Sequence, residues 1–227
     1  MARTLDPEAY AGRRDLFVDA ATLLIQTKGY EQLSIADVLT ATDSSKGAFY
    51  HYFESKQDLL EAVIDRLTDT ALAVAEPVAL DPALPAVDQL MTLFTTIAGW
   101  KNARKDLMLA ILEVWLSDNN IVVREMVRRQ ASSRLTPLLA RIVANGKAAG
   151  DFTVQDPAET AAVIVALILG AQESAGRLFL DCQGGRATLA DARRTFAAYE
   201  RALERILDAP TGSLKLADDA TLQMWFG

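Results

Sequence analysis

The sequence has 227 residues, of which 51% are apolar, and its formal net charge is −7 at pH 7. This length and composition suffice for one or two folded domains with a sizeable core. The negative charge excludes a general nucleic-acid coat, because affinity for phosphate needs local positive charge, so any contact with DNA must be confined to a small surface.

Two features bear on the cellular compartment. The single cysteine, Cys182, cannot close an intramolecular disulfide, and the N-terminal segment MARTLDPEAYAGRRD lacks the apolar core of a secretory signal. The longest nearly apolar run, at residues 161–171, is shorter than the roughly 20 residues needed to cross a bilayer. We therefore expect a cytoplasmic protein with no membrane partner.

Apolar residues recur with helical spacing along the chain, and no stretch shows the sustained alternation of a strand, which predicts an all-α fold. The first helix is expected at residues 6–28 and ends at Gly29, a residue suited to left-handed backbone. The sequence SIAD at residues 34–37 is a capping box that opens a short helix. A second box, SKQD at residues 55–58, opens a longer helix that Pro77 ends.

The rest of the chain is predicted to form longer helices. They are expected at residues 84–100, 105–117, 120–147, 157–181 and 188–209. In the sequence GDFTVQDPAE, Asp156 can cap a helix that has Pro157 at its first position. The segment after Pro210 has no strong periodicity, so Trp225 and Phe226 either pack on the body or belong to a loose tail.

A tight break at residues 42–44 separates the first short helix from a second one at residues 45–53, and the pair has the size of a helix-turn-helix. Asp43 tolerates the left-handed backbone that such a break requires. Phe49 and Phe53 are four residues apart, so they share one face of the second helix and are expected to be buried.

The other face of this second helix has the chemistry of a DNA contact. Its first turn, KGA, lies where a recognition helix meets base edges. Tyr50, His51 and Lys56 offer a hydroxyl, an imidazole and an ammonium group to phosphates. Ordinary amphipathic packing is the alternative for the aromatic residues, but the flanking lysines and the paired capping boxes favour a role in DNA contact.

Residues 29–64, GYEQLSIADVLTATDSSKGAFYHYFESKQDLLEAVI, resemble the N-terminal domain of TetR-family (tetracycline-repressor family) transcriptional regulators, most clearly in the pattern SKG…YHYF.SK..LL. The resemblance implies a two-fold homodimer on double-stranded operator DNA. It also implies a three-helix DNA-binding domain at residues 1–56 and a larger helical domain, for effector binding and dimerisation, at residues 57–227. The family pattern places residues 45–48 nearest the base edges. The candidate DNA-binding residues are Ser34, Ser45, Lys46, Gly47, Ala48, Tyr50, His51, Tyr52 and Lys56.

The sequence also departs from the family pattern. Val38-Leu39 replaces the usual Ile-Ala of the first motif helix, and Thr42-Asp43-Ser44 replaces Ala-Gly-Val in the turn. Residues 1–56 contain six Lys or Arg against eight Asp or Glu. We therefore expect modest, salt-sensitive affinity for DNA.

The last two long helices contain a possible interface. Small residues recur at every fourth position of the first, which permits close approach of another helix, and the second has a heptad-like apolar set. Both sets could instead belong to the intrachain core, but the resemblance favours a four-helix dimer interface. The candidate interface residues are Ala162, Ala166, Gly170 and Ser174 of the first helix, and Phe196, Tyr199 and Leu203 of the second.

The central helices provide candidates for a small-molecule site, because they combine large apolar surfaces with few polar groups. The candidate ligand-binding residues are Phe94, Trp100, Glu113, Trp115, Met126 and Gln130. Core packing explains most of them equally well. Glu113 is the most informative, since a carboxylate within LMLAILEVWL binds a cationic ligand, pairs with an arginine or is simply exposed.

No phosphate loop, dinucleotide fingerprint or hydrolase elbow occurs in the sequence. The single histidine, His51, has no second histidine to share a metal with, and Cys182 lacks a positive environment that would activate it. We therefore expect no enzyme activity, no cofactor and no metal. The predicted function is a ligand-responsive DNA-binding transcriptional regulator, more often a repressor in the family that it resembles. The alternative is a helical ligand-binding or interaction module without operator binding, which the acidic N-terminal domain suggests.

Overall fold

A computed structural model describes residues 7–116 and 121–227, apart from the side chains of Pro7, Ala9, Val78, Val122, Val123, Met126 and Val127. Within these ranges the chain forms ten α-helices and no β-strand, which confirms the predicted all-α fold. The helices are α1 (Pro7–Lys28), α2 (Ile35–Ala41), α3 (Lys46–Tyr52), α4 (Lys56–Ala79), α5 (Ala86–Asn102), α6 (Lys105–Leu116), α7 (Ile121–Ala149), α8 (Pro157–Gln183), α9 (Leu189–Leu207) and α10 (Asp219–Phe226).

Most of the helix start and stop signals are confirmed. Gly29 has φ = +80° where α1 ends. At the start of α2, the Asp37 N–H donates to Ser34 Oγ (3.2 Å) and the Ser34 N–H donates to Asp37 Oδ2 (2.8 Å), which completes the capping box. Asp156 caps α8 by accepting hydrogen bonds from two N–H groups of its first turn.

Both ends of α4 differ from the prediction. Ser55 Oγ accepts from the Asp58 N–H (3.0 Å), but the Asp58 carboxylate accepts from the N–H of Glu54 (2.9 Å), so the predicted box is shifted by one residue. Pro77 does not end the helix, which continues to Ala79. A proline removes a single helical donor, and this local loss in the last turn of a 24-residue helix does not prevent that turn from forming.

The segment after Pro210 is folded rather than loose. It contains α10, which the sequence analysis missed and which is capped by Asp218 through the N–H of Thr221 (2.7 Å). Leu222 and Phe226 of α10 are buried. Eight residues make only about two helical turns, which is shorter than the window of about 11–18 residues over which periodicity is read, so periodicity alone gave no signal.

The described residues form two compact units. The first comprises the described parts of residues 1–68 and of Arg104–Val127, and the second comprises Asp69–Ala103 and Arg128–Gly227. The predicted functional domains, 1–56 and 57–227, divide the chain differently and stay a prediction. The difference has a physical reason, because the first part of α4 and most of α6 are packed into the same core as α1 to α3.

The first unit is a small helical bundle around aromatic residues. Its largest fully buried side chains are Phe17 and Ile25 of α1, Phe49 of α3, Phe53, and Leu59 and Leu60 of α4. Leu107 and Val114 of α6 close the same core. The helix-turn-helix is therefore held on a continuous apolar base.

The second unit has two apolar clusters. The larger contains Leu90, Leu93, Leu139, Ile142, Ile164, Leu203, Leu207 and Leu214 from helices α5, α7, α8 and α9 and the segment that follows α9. The smaller contains Ala192, Ala217, Leu222 and Phe226, where α10 packs on α8 and α9.

Among the residues that the structure describes, one helix, α8, is long and apolar enough to cross a membrane by length and composition alone. The nearly apolar run at residues 161–171, on which the expectation of no span rested, is only part of this helix. Only 22% of the most apolar stretch of α8 is buried within the chain. Its exposed apolar residues include Ala162, Val163 and Ala166, whereas Leu167, Ile168 and Leu169 are half-buried against the core of the second unit.

Candidate nucleic-acid interface

The turn between α2 and α3 has the geometry that the sequence predicted. Asp43 adopts left-handed backbone with φ = 46°, a conformation that Asp tolerates better than most residues. The Ser44 N–H donates to the Leu39 carbonyl (3.0 Å), and Thr42 Oγ1 donates to the Val38 carbonyl (2.8 Å). These bonds fix the angle at which α3 leaves α2.

The inner face of α3 is buried as expected. Phe49 and Phe53 are almost fully enclosed, and both rings meet Phe17 of α1 edge to face at centroid distances of 5.7 and 6.1 Å. Aromatic pairs in this arrangement add about 0.5–1.5 kcal/mol beyond area burial. The helix is therefore anchored, and its orientation determines which residues face solvent.

The outer face of α3 is open to a ligand. Lys46, Gly47 and His51 are exposed, and Tyr50 has 47% of its surface exposed. A Cβ atom built on Gly47 would meet only Ser45 Oγ, at 4.0 Å, so a surface can approach this backbone closely. Lys46 Nζ lies 5.9 Å from the centroid of the Tyr50 ring, so its positive charge lies on the same exposed face of α3 as that ring.

Two predicted DNA-binding serines act locally as helix caps. Ser34 Oγ accepts a hydrogen bond within α2, and Ser45 Oγ accepts from the Ala48 N–H (3.2 Å) of α3. The Ser34 hydroxyl also donates its own proton to Asp37 Oδ2 (2.6 Å), so it is fully used within the cap. The Ser45 hydroxyl accepts only, and it still carries a proton that it can donate. Ala48 itself is half-buried and packs against the core of the first unit.

Tyr52 lies differently from the other predicted contacts. It is half-buried, and the centroid of its ring lies 4.7 Å from that of the Tyr10 ring and 5.8 Å from that of the Phe17 ring. His51 remains exposed, and its ring lies edge to face with the Tyr10 ring at a centroid distance of 5.7 Å. Tyr10 was not among the predicted residues, because nothing in its sequence surroundings shows that α1 packs beneath the end of α3.

Lys56 is also turned partly inward. Its Nζ lies 4.2 Å from the centroid of the Tyr30 ring and 3.4 Å from the Glu31 carbonyl oxygen. Burial lowers the pKa of the Lys56 ammonium, and the charge of Glu31 opposes this effect. Lys56 therefore holds the loop between α1 and α2, in addition to any contact that it makes with DNA.

Lys28 is a further residue that the sequence analysis missed. Its Nζ lies 2.8 Å from Asp37 Oδ2, the carboxylate of the capping box. The hydrogen bond from Lys28 is the largest cause that holds the pKa of the Asp37 carboxyl well below its usual range, and bonds from Ser34 add to it. The end of α1 is thus tied to the start of α2.

The candidate ligand-binding residues are divided between the two units, so they do not form one cluster within either. Phe94, Trp100 and Gln130 belong to the second unit, whereas Glu113 and Trp115 belong to the first. The side chain of Met126 lies outside the described residues.

Glu113 is exposed, which was one of its three predicted alternatives. It lines a groove of about 290 Å³, together with residues 28–32, Ala110 and Val114. Among the described residues, no group of three His, Cys, Asp or Glu side chains is placed to hold a metal ion.

The predicted interface residues of α8 and α9 fall into two classes. Ala162 and Ala166 are exposed on α8, beside Val163, which has 54% of its surface exposed. Gly170 and Ser174 are half-buried, since Tyr199 Oη bonds the Ser174 hydroxyl (2.8 Å) and the Gly170 carbonyl (3.3 Å).

The heptad-like set of α9 belongs mainly to the intrachain core. Leu203 is fully buried, and the Phe196 ring packs on Phe226 of α10 at 5.9 Å. Leu203 is therefore used within its own chain, whereas Phe196 is half-buried, and the predicted interface on α9 stays a prediction. This face is the most apolar one of α9, whereas the exposed face carries Ala190, Arg194, Ala198, Arg201 and Arg205.

Residues 17–63 match the family described as bacterial regulatory proteins, tetR family. An uncharacterized HTH-type transcriptional regulator in the lacX 3' region of Lactococcus lactis subsp. lactis is 44% identical over 52 residues, which cover 23% of this chain and 26% of that protein. The A-factor receptor protein of Streptomyces griseus is 38% identical over 53 residues, which cover 23% of this chain and 19% of that protein. The HTH-type transcriptional repressor ComR of Escherichia coli is 38% identical over 63 residues, which cover 28% of this chain and 30% of that protein. The chain thus matches less than a third of the length of each of these curated relatives.

The likeness in fold extends over most of the chain. The crystal structure of a TetR transcription regulator from Haloarcula marismortui superposes with a TM-score of 0.62 at 19% identity, covering 87% of this chain and 97% of that one. At this identity the comparison concerns the fold. It shows a helix-turn-helix domain followed by a larger helical body.

Proposed function

Because this chain belongs to the TetR family of bacterial regulatory proteins through residues 17–63, we propose that it is a cytoplasmic DNA-binding repressor that acts as a homodimer on a palindromic operator. The observation that carries the proposal is α3. Its inner face is locked by Phe49 and Phe53, and its outer face presents Lys46, Gly47 and Tyr50 to solvent. That arrangement suits a helix that enters the major groove with its N-terminal turn.

The proposed contacts divide into two kinds. Lys46, Gly47 and Ala48 are assigned to base edges, because they form the first turn of α3. Tyr50 and His51 are assigned to phosphates, which position a protein on DNA without reading its sequence. The proposal gives none of these residues a catalytic role.

The repressor assignment rests on relatives, since a matching protein of Escherichia coli is named a transcriptional repressor. The response to a small molecule has similar support, because the matching protein of Streptomyces griseus is named a receptor. An effector would release the operator by binding more tightly to a dimer whose two α3 helices are wrongly spaced for DNA.

The dimer proposal rests on α8. Its exposed residues include Ala162, Val163 and Ala166, and most of its apolar stretch is not buried by its own chain. Neighbouring exposed apolar residues on one helix face can mark an interaction surface. A second copy is the occupant that fits, because two-fold DNA-binding dimers present paired recognition helices to a palindrome.

The test begins with selection of DNA from a random-sequence pool by the purified full-length protein, followed by gel-shift titration at several salt concentrations. We expect a palindromic consensus. Lys46→Ala should change the preferred base at one position of each half-site, whereas Tyr50→Phe should weaken binding to all sequences by a similar factor. Failure to select any sequence would support the alternative, a helical interaction module without operator binding.

A further inference from the structure

The imidazole of His51 lies beside two tyrosine rings at the end of α3. Its centroid is 5.7 Å from that of the Tyr10 ring and 5.0 Å from that of the Tyr52 ring. Both pairs meet edge to face, with interplanar angles of 75° and 80°, which is a preferred arrangement of aromatic rings. Because His51 is nevertheless exposed, these contacts restrain its ring without enclosing the residue.

The two tyrosines are themselves held within the first unit. The centroids of their rings lie 4.7 Å apart, and the Tyr52 ring lies 5.8 Å from that of Phe17, which is buried. Both tyrosines are half-buried, and Tyr10 belongs to the first turn of α1. A continuous set of ring contacts therefore leads from the core of the first unit to the exposed imidazole.

The surroundings of His51 suit an anion. Residues 44–53, which include all of α3, contain no Asp or Glu. Arg14 follows Tyr10 by four residues and so lies on the same side of α1, and its guanidinium carbon is 5.2 Å from the centroid of the Phe53 ring. An imidazole near a guanidinium group offers hydrogen-bond donors and positive charge, which are the groups that bind phosphate oxygens.

Restraint of the His51 ring matters for affinity. An exposed side chain that rotates freely loses this freedom when it binds, and the lost entropy weakens binding. A side chain that is already held in its bound orientation avoids most of that loss. Tyr52 is adjacent to His51 in the chain, whereas Tyr10 comes from another helix and restrains the imidazole from a second direction.

We propose that Tyr10 is a positioning residue for DNA binding, whose ring holds the His51 imidazole in the orientation that contacts a phosphate. This inference rests on the proposed function, in which α3 enters the major groove and His51 contacts the DNA backbone. Tyr10 acts through His51 and needs no contact of its own with DNA. Because phosphate contacts carry no sequence information, Tyr10 affects affinity and leaves the base preference unchanged.

The first test observes His51 by NMR in the full-length protein. The chain has a single histidine, so isotope-labelled histidine gives one set of imidazole signals. In the wild type we expect nuclear Overhauser contacts between the imidazole and the Tyr10 ring. Tyr10→Leu should shift the imidazole signals because it removes a neighbouring ring, whereas Tyr10→Phe keeps the ring and should leave them nearly unchanged. Absence of the contact in the wild type would overturn the proposal, even if Tyr10→Leu does not fold.

The second test measures affinity for the palindromic DNA that the wild-type protein selects. Tyr10→Leu should weaken binding about twofold to tenfold at each half-site, the factor expected for one side chain that must be ordered on binding. The preferred bases should stay the same, and Tyr10→Phe should restore wild-type affinity. Leu16→Ala is the matched control, because Leu16 is an exposed apolar residue of the same helix, and it should bind as the wild type does.

A double-mutant cycle separates positioning of His51 from general support of α3. If Tyr10 acts through His51, Tyr10→Leu should cost little further affinity in a protein that already carries His51→Ala. An equal loss in both backgrounds would overturn the proposal, as would wild-type affinity of Tyr10→Leu itself. A wild-type protein that selects no DNA would instead contradict the proposed function, and the NMR contact between Tyr10 and His51 would show that this failure lies elsewhere.

Discussion

Lys56 illustrates how one side chain can serve both packing and recognition. Its ammonium lies over the Tyr30 ring at 4.2 Å, although the sequence pattern assigns it to phosphate contact. A cation in such a position contributes about 0.5–1 kcal/mol at an exposed site. Its aliphatic part covers the same ring, so Lys56→Ala would remove packing, charge and any DNA contact together.

Lys56→Met separates these contributions, because it keeps the aliphatic chain over Tyr30 and removes only the charge. We expect the free energy of unfolding to fall by less than about 1 kcal/mol. If Lys56 contacts a phosphate, the slope of log affinity against log salt should become shallower by about 0.9. Urea denaturation and gel shifts at four salt concentrations measure the two effects. An unchanged slope would restrict Lys56 to its role in holding the α1–α2 loop.

At the scale of single elements, the capping box of α2 gives a pH-dependent test. Lys28 and Ser34 lower the pKa of the Asp37 carboxyl, so the folded protein binds fewer protons at this site than the unfolded chain. The resulting stability is complete above the unfolded pKa of about 3.9 and is lost as pH falls through the lower folded pKa. We therefore expect wild type to be more stable than Asp37→Asn at pH 7, with the difference shrinking below about pH 4.

Urea denaturation of both proteins at pH 7, 5, 4 and 3 measures this difference. Lys28→Met supplies the control, because it removes the largest cause of the lowered pKa and should narrow the pH range over which the stability changes. A difference between wild type and Asp37→Asn that stays constant from pH 7 to 3 would contradict the assignment.

The elements also show how far sequence reasoning reaches. The caps at Ser34 and Asp156 and the left-handed Asp43 were predicted, because each depends on a few adjacent residues. The interface face of α9 stays a prediction, since an apolar stripe can be buried by its own chain or by a partner and the sequence pattern is the same in both cases; Leu203 is buried by its own chain, whereas Phe196 and Tyr199 are half-buried. The inward turn of Lys56 depends on Tyr30, 26 positions earlier, and no local pattern encodes such a pairing.

The C-terminal segment provides a second test at this scale. Glu204→Ala would leave the N–H groups of the buried Leu214 and of Gly212 without their acceptor, and an unsatisfied buried group costs about 1–3 kcal/mol. Glu204→Gln keeps a side-chain oxygen and should lose less. Urea midpoints compare stability, and limited proteolysis reports whether residues 210–217 detach. Equal losses for the two variants would show that the hydrogen bonds do not hold this segment.

For the whole molecule, the first question is whether the exposed face of α8 is a dimer interface. Ala166→Arg places a long charged side chain on that face and should shift the protein from dimer to monomer at micromolar concentration. Leu23→Arg on α1 is the matched control, since Leu23 is also an exposed apolar residue but lies outside α8. Sedimentation velocity distinguishes the two states. A wild-type protein that sediments as a monomer at micromolar concentration would contradict the dimer proposal.

The proposed dimer would determine the geometry of the operator. Two α3 helices related by a two-fold axis reach successive major grooves on one side of DNA when they are about 34–36 Å apart, which corresponds to one helical turn. Inserting five base pairs between the half-sites adds about half a turn and places one half-site on the opposite side of the duplex. We expect this insertion to weaken binding more than tenfold, because only one α3 helix can then make its contacts.

The same spacing can be observed in the protein. A spin label at Ala41, an exposed residue at the end of α2, would report the separation of the two helix-turn-helix motifs in a Cys182→Ala background. Pulsed dipolar spectroscopy should give a broad distance distribution for the free dimer and a narrower one with the selected operator, because DNA accepts only the matching spacing. The five-base-pair insertion should restore the broad distribution. If the insertion left both affinity and distances unchanged, the two motifs would bind DNA independently, and an effector could not act on them by changing their separation.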